Sequence, residues 1–563
     1  GIATIACVAA LAAIPSMRQR VKRWMNVDPV PTEKLVAVLP FTVVGGDEQA
    51  IPFSEGLTET LTAKLTQLTV DPKLQVVPAP EIREKGPKAL DDVRHEFGVT
   101  MVLQGNLYWF KDNLRINMAL VDTRTRHQLR AESFTVPASD PFAVQDKVVT
   151  AAVTMLELDV QPDALTELST HNTQSASAYD LYLQGLGYLQ NYDKKENIES
   201  AIRVFNNALA LDPNYAAAYA GRGDAGWQMY TATKDAKWME SSREDCQRAL
   251  KLNEALPVAH ACLGNLDKGT GHYAQAAQEF ERAVAGEPTN DRAYLELAET
   301  YDLLGNPQDA EATYKRAIKL RPHYWAGYNW LGAFYYQRAQ YQDAAKMFEQ
   351  VTLLAPDNVR GLFNLGTTYV SQGRYTDAIN VLKRSIAVRP EASAYTDLGN
   401  AYFYLREFEQ ATSAYEQAVN LEPAEAPLWW NLGDGYYWMP GKRGQSVGAY
   451  QKAISLAQSN LRVNPQDAYI LGILAICHAM LEDKKPALDA LQAGLRLSPN
   501  DPETRFKAAL VYKHLGDVSQ SLSWLDKAAS VGFSKTIIRD SPDFDDLRND
   551  KRFQKWLVKE NQS

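Results

Sequence analysis

Through the middle of the chain, apolar residues return every three or four positions in short stretches broken by polar turns, which predicts a succession of amphipathic helices. The succession has a fixed period. Gly264, Ala298, Gly332 and Gly366 stand 34 residues apart, as do Pro288, Pro322, Pro356 and Pro390, and each proline closes a stretch that reads as two helices. In the stretch that begins at Asp291, Tyr294, Leu297, Ala298, Tyr301, Ala310, Tyr314, Ala317 and Pro322 fall at positions 4, 7, 8, 11, 20, 24, 27 and 32. Small residues at positions 8 and 20 let two helices approach, large apolar residues at 4, 7, 11 and 24 fill the space between them, and the proline follows a helix that it cannot continue. A hairpin of this size cannot bury its apolar face alone, so the fold class predicted is a predominantly α-helical superhelical solenoid of stacked hairpins.

Residue for residue, these positions resemble the tetratricopeptide (TPR) repeat. The register extends both ways. Gly185 with Ala201, Phe205, Ala208 and Pro213, and Gly223 with Ala249, read as two upstream repeats with longer hairpin turns. Gly399, Gly433, Ala475 and Ala509 take position 8 downstream, with Ala411, Ser446, Ala487 and Ser521 at position 20, and the eighth repeat has a second helix lengthened up to Pro465. About ten repeats result, over residues 178–531, followed by a capping segment over 532–563.

Ahead of the solenoid the period changes. Leu35–Phe41 reads as a buried strand, Gly56–Gln67 as an amphipathic helix, Leu74–Pro78 as a strand, Ala89–Phe97 as a helix and Met101–Leu107 as a strand. Leu114–Asp122 and His127–Val136 read as the arms of a hairpin and Pro141–Leu156 as a closing helix, which makes residues 33–158 a smaller α/β domain. Polar residues 159–177 form a linker. Residues 1–32 differ again: Ile2–Ile14 is almost wholly apolar and is followed by Arg18, Arg20, Lys22, Arg23 and Trp24. The chain opens at Gly1 and reads as truncated, so this stretch is expected to be the second half of a transmembrane helix with a basic juxtamembrane flank; a signal-peptide remnant or a soluble amphipathic helix are the alternatives.

The runs VAVLPF, FSEGLTETLTAKL, EFGVTMVLQGNL, NLRINMALVDTRTRHQLRAESF and DPFAVQDKVV, in that order, resemble the TolB-like amino-terminal domain that precedes TPR arrays in bacterial membrane signalling proteins. The stretch Arg539–Leu557 resembles the carboxy-terminal cap of the same proteins. The resemblance implies the non-catalytic half of a signalling protein whose single span links it to a serine/threonine kinase, an adenylyl cyclase or a DNA-binding effector. It carries over no catalytic residue.

Charge and composition narrow the chemistry. A formal net charge of -9 over 563 residues gives no basic face for a phosphate backbone, so nucleic acid is not expected as a partner. Gly221, Gly223 and Gly226 spell GxGxxG, but inside a first helix of a repeat rather than between a strand and a helix, so they are read as packing glycines. Gly444-Gln-Ser446-Val-Gly448 spells a nucleophile elbow, yet Ser446 takes the small-residue position 20. The eight histidines lack metal-ligand spacing; His260 and His478 fall on packing positions, and Asp540, Asp543, Asp545 and Asp546 lack the glycine and closing glutamate of a calcium loop. Cys246, Cys262 and Cys477 are expected as buried thiols, with an approach of Cys246 to Cys262 left open. No catalytic, cofactor or metal site is therefore expected.

Binding is the function these readings leave. In TPR superhelices, positions 2, 5, 9 and 12 of the first helices line the concave groove, which by resemblance is presented here by Asn329, Ala333, Tyr336, Phe363, Thr367, Val370, Thr396, Asn400, Phe403, Trp430, Asp434 and Tyr437. An aromatic and amide-rich surface suits an extended peptide or a helix from a protein partner. The expected protein is a membrane-anchored interaction or sensor module, with the carboxy-terminal part of a receptor-like Ser/Thr kinase as the alternative. Its soluble part is expected outside the cytoplasm, although the basic flank alone would favour the inside.

Overall fold

The computed structural model describes residues 30–558 apart from 47, 69–73, 80–81, 83–89, 162–167 and 169. The apolar segment 2–14 and its basic flank lie outside the described residues. Among the described residues no helix is long and apolar enough to cross a membrane. The chain divides into two units, Gly1–Gly327 and Tyr328–Ser563.

The first unit begins with a sheet of β1 (Lys34–Val38), β2 (Thr42–Val44), β3 (Leu74–Val76), β4 (Met101–Phe110), β5 (Asn113–Asp122) and β6 (Gln128–Pro137). The order is β3-β1-β4-β5-β6, with β2 paired to β4 off that path. β1 lies parallel to both neighbours, Val36 facing Val76 on one side and Met101 on the other, and its continuous apolar run is what an interior parallel strand requires. β4, β5 and β6 form an antiparallel meander in which Leu114, Ile116, Met118 and Leu120 alternate into the core. Helices α1 (Ala50–Gln67), α2 (Leu90–Phe97) and α3 (Pro141–Met155) complete this part. Pro141 follows an Asp140 that caps α3 by accepting from the Ala143 N–H at 3.0 Å.

Helix α1 starts earlier than its apolar pattern suggests, with Pro52 in its first turn, where a missing N–H costs no helical bond. Leu57, Leu61 and Leu65 face the sheet. Its other side meets α4 (Ala176–Leu189), the first helix of the solenoid: a Cβ on Gly56 would stand 1.9 Å from the Leu183 carbonyl oxygen, and one on Gly187 would stand 1.8 Å from that of Pro52. The two backbones touch. One continuous core accordingly runs from Val36 in β1 to Met229, beyond the first hairpin.

Among the described residues, ten hairpins follow. The first four pair α4 with α5 (Lys195–Leu211), α6 (Ala216–Thr233) with α7 (Ala236–Leu252), α8 (Pro257–Gly269) with α9 (Tyr273–Gly286), and α10 (Asp291–Leu303) with α11 (Pro307–Leu320). The division into units falls within α12 (Trp325–Gln337), which pairs with α13 (Tyr341–Leu354) as the fifth. The second unit continues with α14 (Val359–Ser371) and α15 (Tyr375–Val388), α16 (Ala392–Tyr404) and α17 (Phe408–Leu421), and α18 (Ala426–Trp438) and α19 (Arg443–Val463). It closes with α20 (Ala468–Met480) and α21 (Lys484–Leu497), α22 (Pro502–His514) and α23 (Val518–Ser530), then α24 (Lys535–Asp540), a 3-10 turn (Pro542–Leu547) and α25 (Lys551–Val558).

The period has a visible cause. The glycine at position 8 admits the large side chain at position 24 of the same hairpin: a Cβ on Gly332 would meet the Phe348 ring at 2.7 Å, and one on Gly399 the Tyr415 ring at 2.4 Å. The alanines at position 20, such as Ala310, Ala344 and Ala411, are fully buried.

Two further contacts hold the first unit. Arg321 is buried and donates to Gln75 Oε1 at 3.2 Å, to Asp291 Oδ2 at 2.5 Å and to the Val76 carbonyl, so the fourth repeat supplies the donors that cover the free edge of β3. Cys246 on α7 and Cys262 on α8 form a disulfide, with their Cα atoms 6.1 Å apart. Repeat stacking brings these two thiols together, where the sequence favoured unpaired ones; Cys477 is free and buried.

Candidate protein-interaction face

The catalytic spellings sit in helices. Gly221, Gly223 and Gly226 lie within α6, and Ser446 lies buried in α19 with its hydroxyl donating to the Arg443 carbonyl at 2.8 Å. His260 is buried, Nδ1 2.7 Å from Glu279 and Nε2 2.9 Å from the Glu254 carbonyl. Among the described residues no group of three His, Cys, Asp or Glu side chains could hold a metal ion.

The groove residues all belong to the second unit, where adjacent first helices are joined by their polar side chains. Asn364 donates to Asn329 at 2.9 Å, and the Tyr336 hydroxyl lies 3.1 Å from Ser371 Oγ. Thr367 donates to Asp397 Oδ2 at 2.5 Å, and Asn400 donates to Asp397 Oδ1 at 3.2 Å while accepting from the Tyr415 hydroxyl at 2.8 Å. Asp434 accepts from the Tyr450 hydroxyl at 2.7 Å. The Tyr437 ring lies under the Arg443 guanidinium at 4.2 Å and edge-on to His514 at 6.3 Å.

The positions differ in what they can offer a ligand. Tyr336, Phe363, Thr367, Asn400, Trp430, Asp434 and Tyr437 are partly exposed. Asn329 is buried, and Phe403 is buried edge-on to Tyr404 and Phe408 of its own repeat, so it belongs to the packing that Phe408, stacked on Trp438, carries into the eighth repeat. The buried indole N–H of Trp430 finds no acceptor among the described residues.

Sequence position alone missed several participants. Lys507 sits at position 6 of the tenth repeat, fully buried, with its ammonium 4.4 Å over the Tyr469 ring and bonded to Glu503 at 3.0 Å. Asp397 also takes position 6, one helical turn beyond position 2 and therefore beside it. Burial first, and then the negative charge of Glu503, raises the Asp397 carboxyl against its hydrogen bonds from Thr367 and Asn400. Burial likewise holds the Asp434 carboxyl well above the usual range, with Asp543 adding to it. Glu503 of the tenth repeat lies within electrostatic reach of Tyr336 of the fifth, whose hydroxyl burial pushes up. The first helices therefore converge on a shared inner face. A charge in an apolar helix stretch, four residues after position 2, was the signal available.

Residues 269–331 and 335–401 match one tetratricopeptide-repeat model, 392–425 a second, and 190–252 and 445–502 a third. The hairpin array is a TPR solenoid. Among curated proteins, the chain is 28% identical over 192 residues to "Putative adenylate cyclase 3" of Rhizobium meliloti (strain 1021), covering 34% of this chain and 32% of that protein. It is 23% identical over 151 residues to anaphase-promoting complex subunit 3 of Schizosaccharomyces pombe, covering 27% and 22% respectively. The chain thus spans a third or less of the length of these relatives. Among solved TPR structures it is similar to the Cut9–Hcn1 hetero-tetramer of the APC/C (16% identity, 71% of this chain and 84% of that one, TM-score 0.32). It is also similar to YrrB, described as a TPR protein with an unusual peptide-binding site (20% identity, 34% and 95%, TM-score 0.27). Neither likeness extends to a ligand.

Proposed function

We propose that the chain is the interaction module of a membrane-anchored bacterial signalling protein, and that the inner face of its second unit holds an extended peptide or a helix from a protein partner. The carrying observation is the row of partly exposed Tyr336, Phe363, Trp430 and Tyr437 with Thr367, Asn400 and Asp434 set between them. Rings of this kind supply most of the affinity in peptide grooves, and the amide and carboxyl groups pair with a ligand's backbone.

The wider context belongs to the same reading. The TolB-like resemblance and the likeness to a protein named as an adenylate cyclase favour an effector joined to this module, and a receptor-like Ser/Thr kinase remains the alternative. The Cys246–Cys262 disulfide favours an oxidising compartment, and so an extracytoplasmic solenoid.

Panning the full chain against a random peptide library, followed by fluorescence anisotropy on the selected peptides, tests the binding. Trp430→Ala and Thr367→Arg should each weaken the selected peptides at least tenfold while leaving the circular dichroism spectrum unchanged. Peptides that bind Thr367→Arg as well as the parent would place the site elsewhere.

A further inference from the structure

The segment after the tenth repeat has two unlike attachments. On one side Phe533, Ile538, Phe544, Leu547 and Phe553 are buried in the core that they share with the eighth, ninth and tenth repeats, Phe533 stacking on Phe506 at 4.2 Å. On the other side the segment reaches the hairpin turns of earlier repeats through polar groups. Ser534 Oγ donates to the Ser371 carbonyl at 2.7 Å, and the Tyr341 hydroxyl donates to the Gly532 carbonyl at 3.3 Å. Tyr375 donates to Asp540 Oδ2 at 2.8 Å, and Arg406 clasps both Asp545 oxygens at 2.7 and 3.2 Å while also donating to the Asp540 carbonyl at 2.5 Å.

These contacts join the end of the tenth repeat to the fifth, sixth and seventh, so the second unit closes on itself. The closure runs along the ends of the first helices, at Ser371 and Tyr404, which is one margin of the inner face. A cavity of about 390 Å³ lined by Tyr404, Arg406, Asp540, Asp545 and Arg548 lies in the seam. Partly exposed ion pairs facing such an open, solvent-filled cleft are weak and screened by salt, whereas the aromatic anchorage opposite is dry. When the two sides are strained, the polar one parts first.

We propose that this polar seam is a gate: Ser534–Leu547, kept seated on the tenth repeat by Ile538, Phe544 and Leu547, parts from the turns of the sixth and seventh repeats, and opening admits a protein partner to the inner face. The gate rests on the reading that the inner face binds, but its mechanics can be measured without a ligand.

The test uses the full chain. Arg406→Glu should raise amide hydrogen exchange over residues 534–548 at least tenfold and leave α22 protected, and Arg406→Glu with Asp545→Arg should restore the parent pattern. In a Cys7→Ser background, Ala333→Cys on the inner face reports access, because Cys246 and Cys262 are bonded and Cys477 is buried. A bulky maleimide should label it at least tenfold faster in Arg406→Glu, and at the parent rate in the charge-swapped pair. Loss of protection in 534–548 and α22 together, no rise in exchange, or labelling that ignores the seam would each overturn the gate. Labelling that follows the seam, with no peptide bound at Trp430, would keep the gate and reject the binding reading.

Discussion

Asp434 shows how the inner face holds charge against its own stability. Burial, reinforced by Asp543, keeps its carboxyl well above the usual range although the Tyr450 hydroxyl pulls the other way. A carboxyl whose folded value exceeds its unfolded one lends stability that is complete below about pH 3.9 and is lost as pH rises through the folded value, so ionised Asp434 is a liability at neutrality. Asp434→Asn keeps an acceptor for Tyr450 and removes the charge; it should melt above the parent at pH 7, with the gain gone near about pH 3. Coincident melts at pH 7 would contradict this account. Asp540 in the seam and Asp543, which pairs with His514 of the tenth repeat, run the opposite way. Burial alone would raise Asp540 and Asp543, but Arg539 and Tyr375 at the first, and His514 at the second, hold both below the usual range, so their contribution is present above about pH 3.9 and fades as pH falls through the depressed values. Residue positions were legible to the extent that packing is local to a hairpin: Tyr314 and Ala310 are buried in α11 as their positions require. Phe403 was not, because Phe408, which lies edge-on to it in the same hairpin, is itself stacked on Trp438 of the next repeat.

Among the elements, helix boundaries followed the apolar period wherever one face was buried and failed where two were. α1 is packed by the sheet on one side and by α4 on the other, so its start at Ala50 carries no single amphipathic stripe, and Pro52 reads as a breaker. β2 is three residues long, too short for alternation to show. The crossing of α1 and α4 at Gly56 and Gly187 is a contact of main chains, and neither sequence segment alone could reveal it. Gly187→Val should therefore cost about 3 kcal/mol or more in urea unfolding, because the Pro52 carbonyl in its path is backbone and cannot turn aside. Equal unfolding midpoints for variant and parent would show that the two helices do not cross so closely. The disulfide was half legible for a related reason: Cys246 and Cys262 lie in successive repeats, and only the stacking of α7 on α8 fixes their separation.

At the scale of the whole molecule, the proposed membrane anchoring makes the compartment of the solenoid the property that decides what it can meet. On that proposal, alkaline phosphatase fused after Ser563 should be active, since that reporter needs the oxidising compartment that the Cys246–Cys262 disulfide favours. An inactive phosphatase beside an active cytoplasmic reporter at the same site would place the array inside. The continuous core of the first unit then has a mechanical consequence. From β1 through α1 and α4 to Met229 the described apolar side chains form one cluster, so a twist applied to the sheet is passed on to the first two repeats. Sheet and first two repeats turn together as one stiff lever, and a tilt of a few degrees at its base becomes a displacement that grows along the first unit.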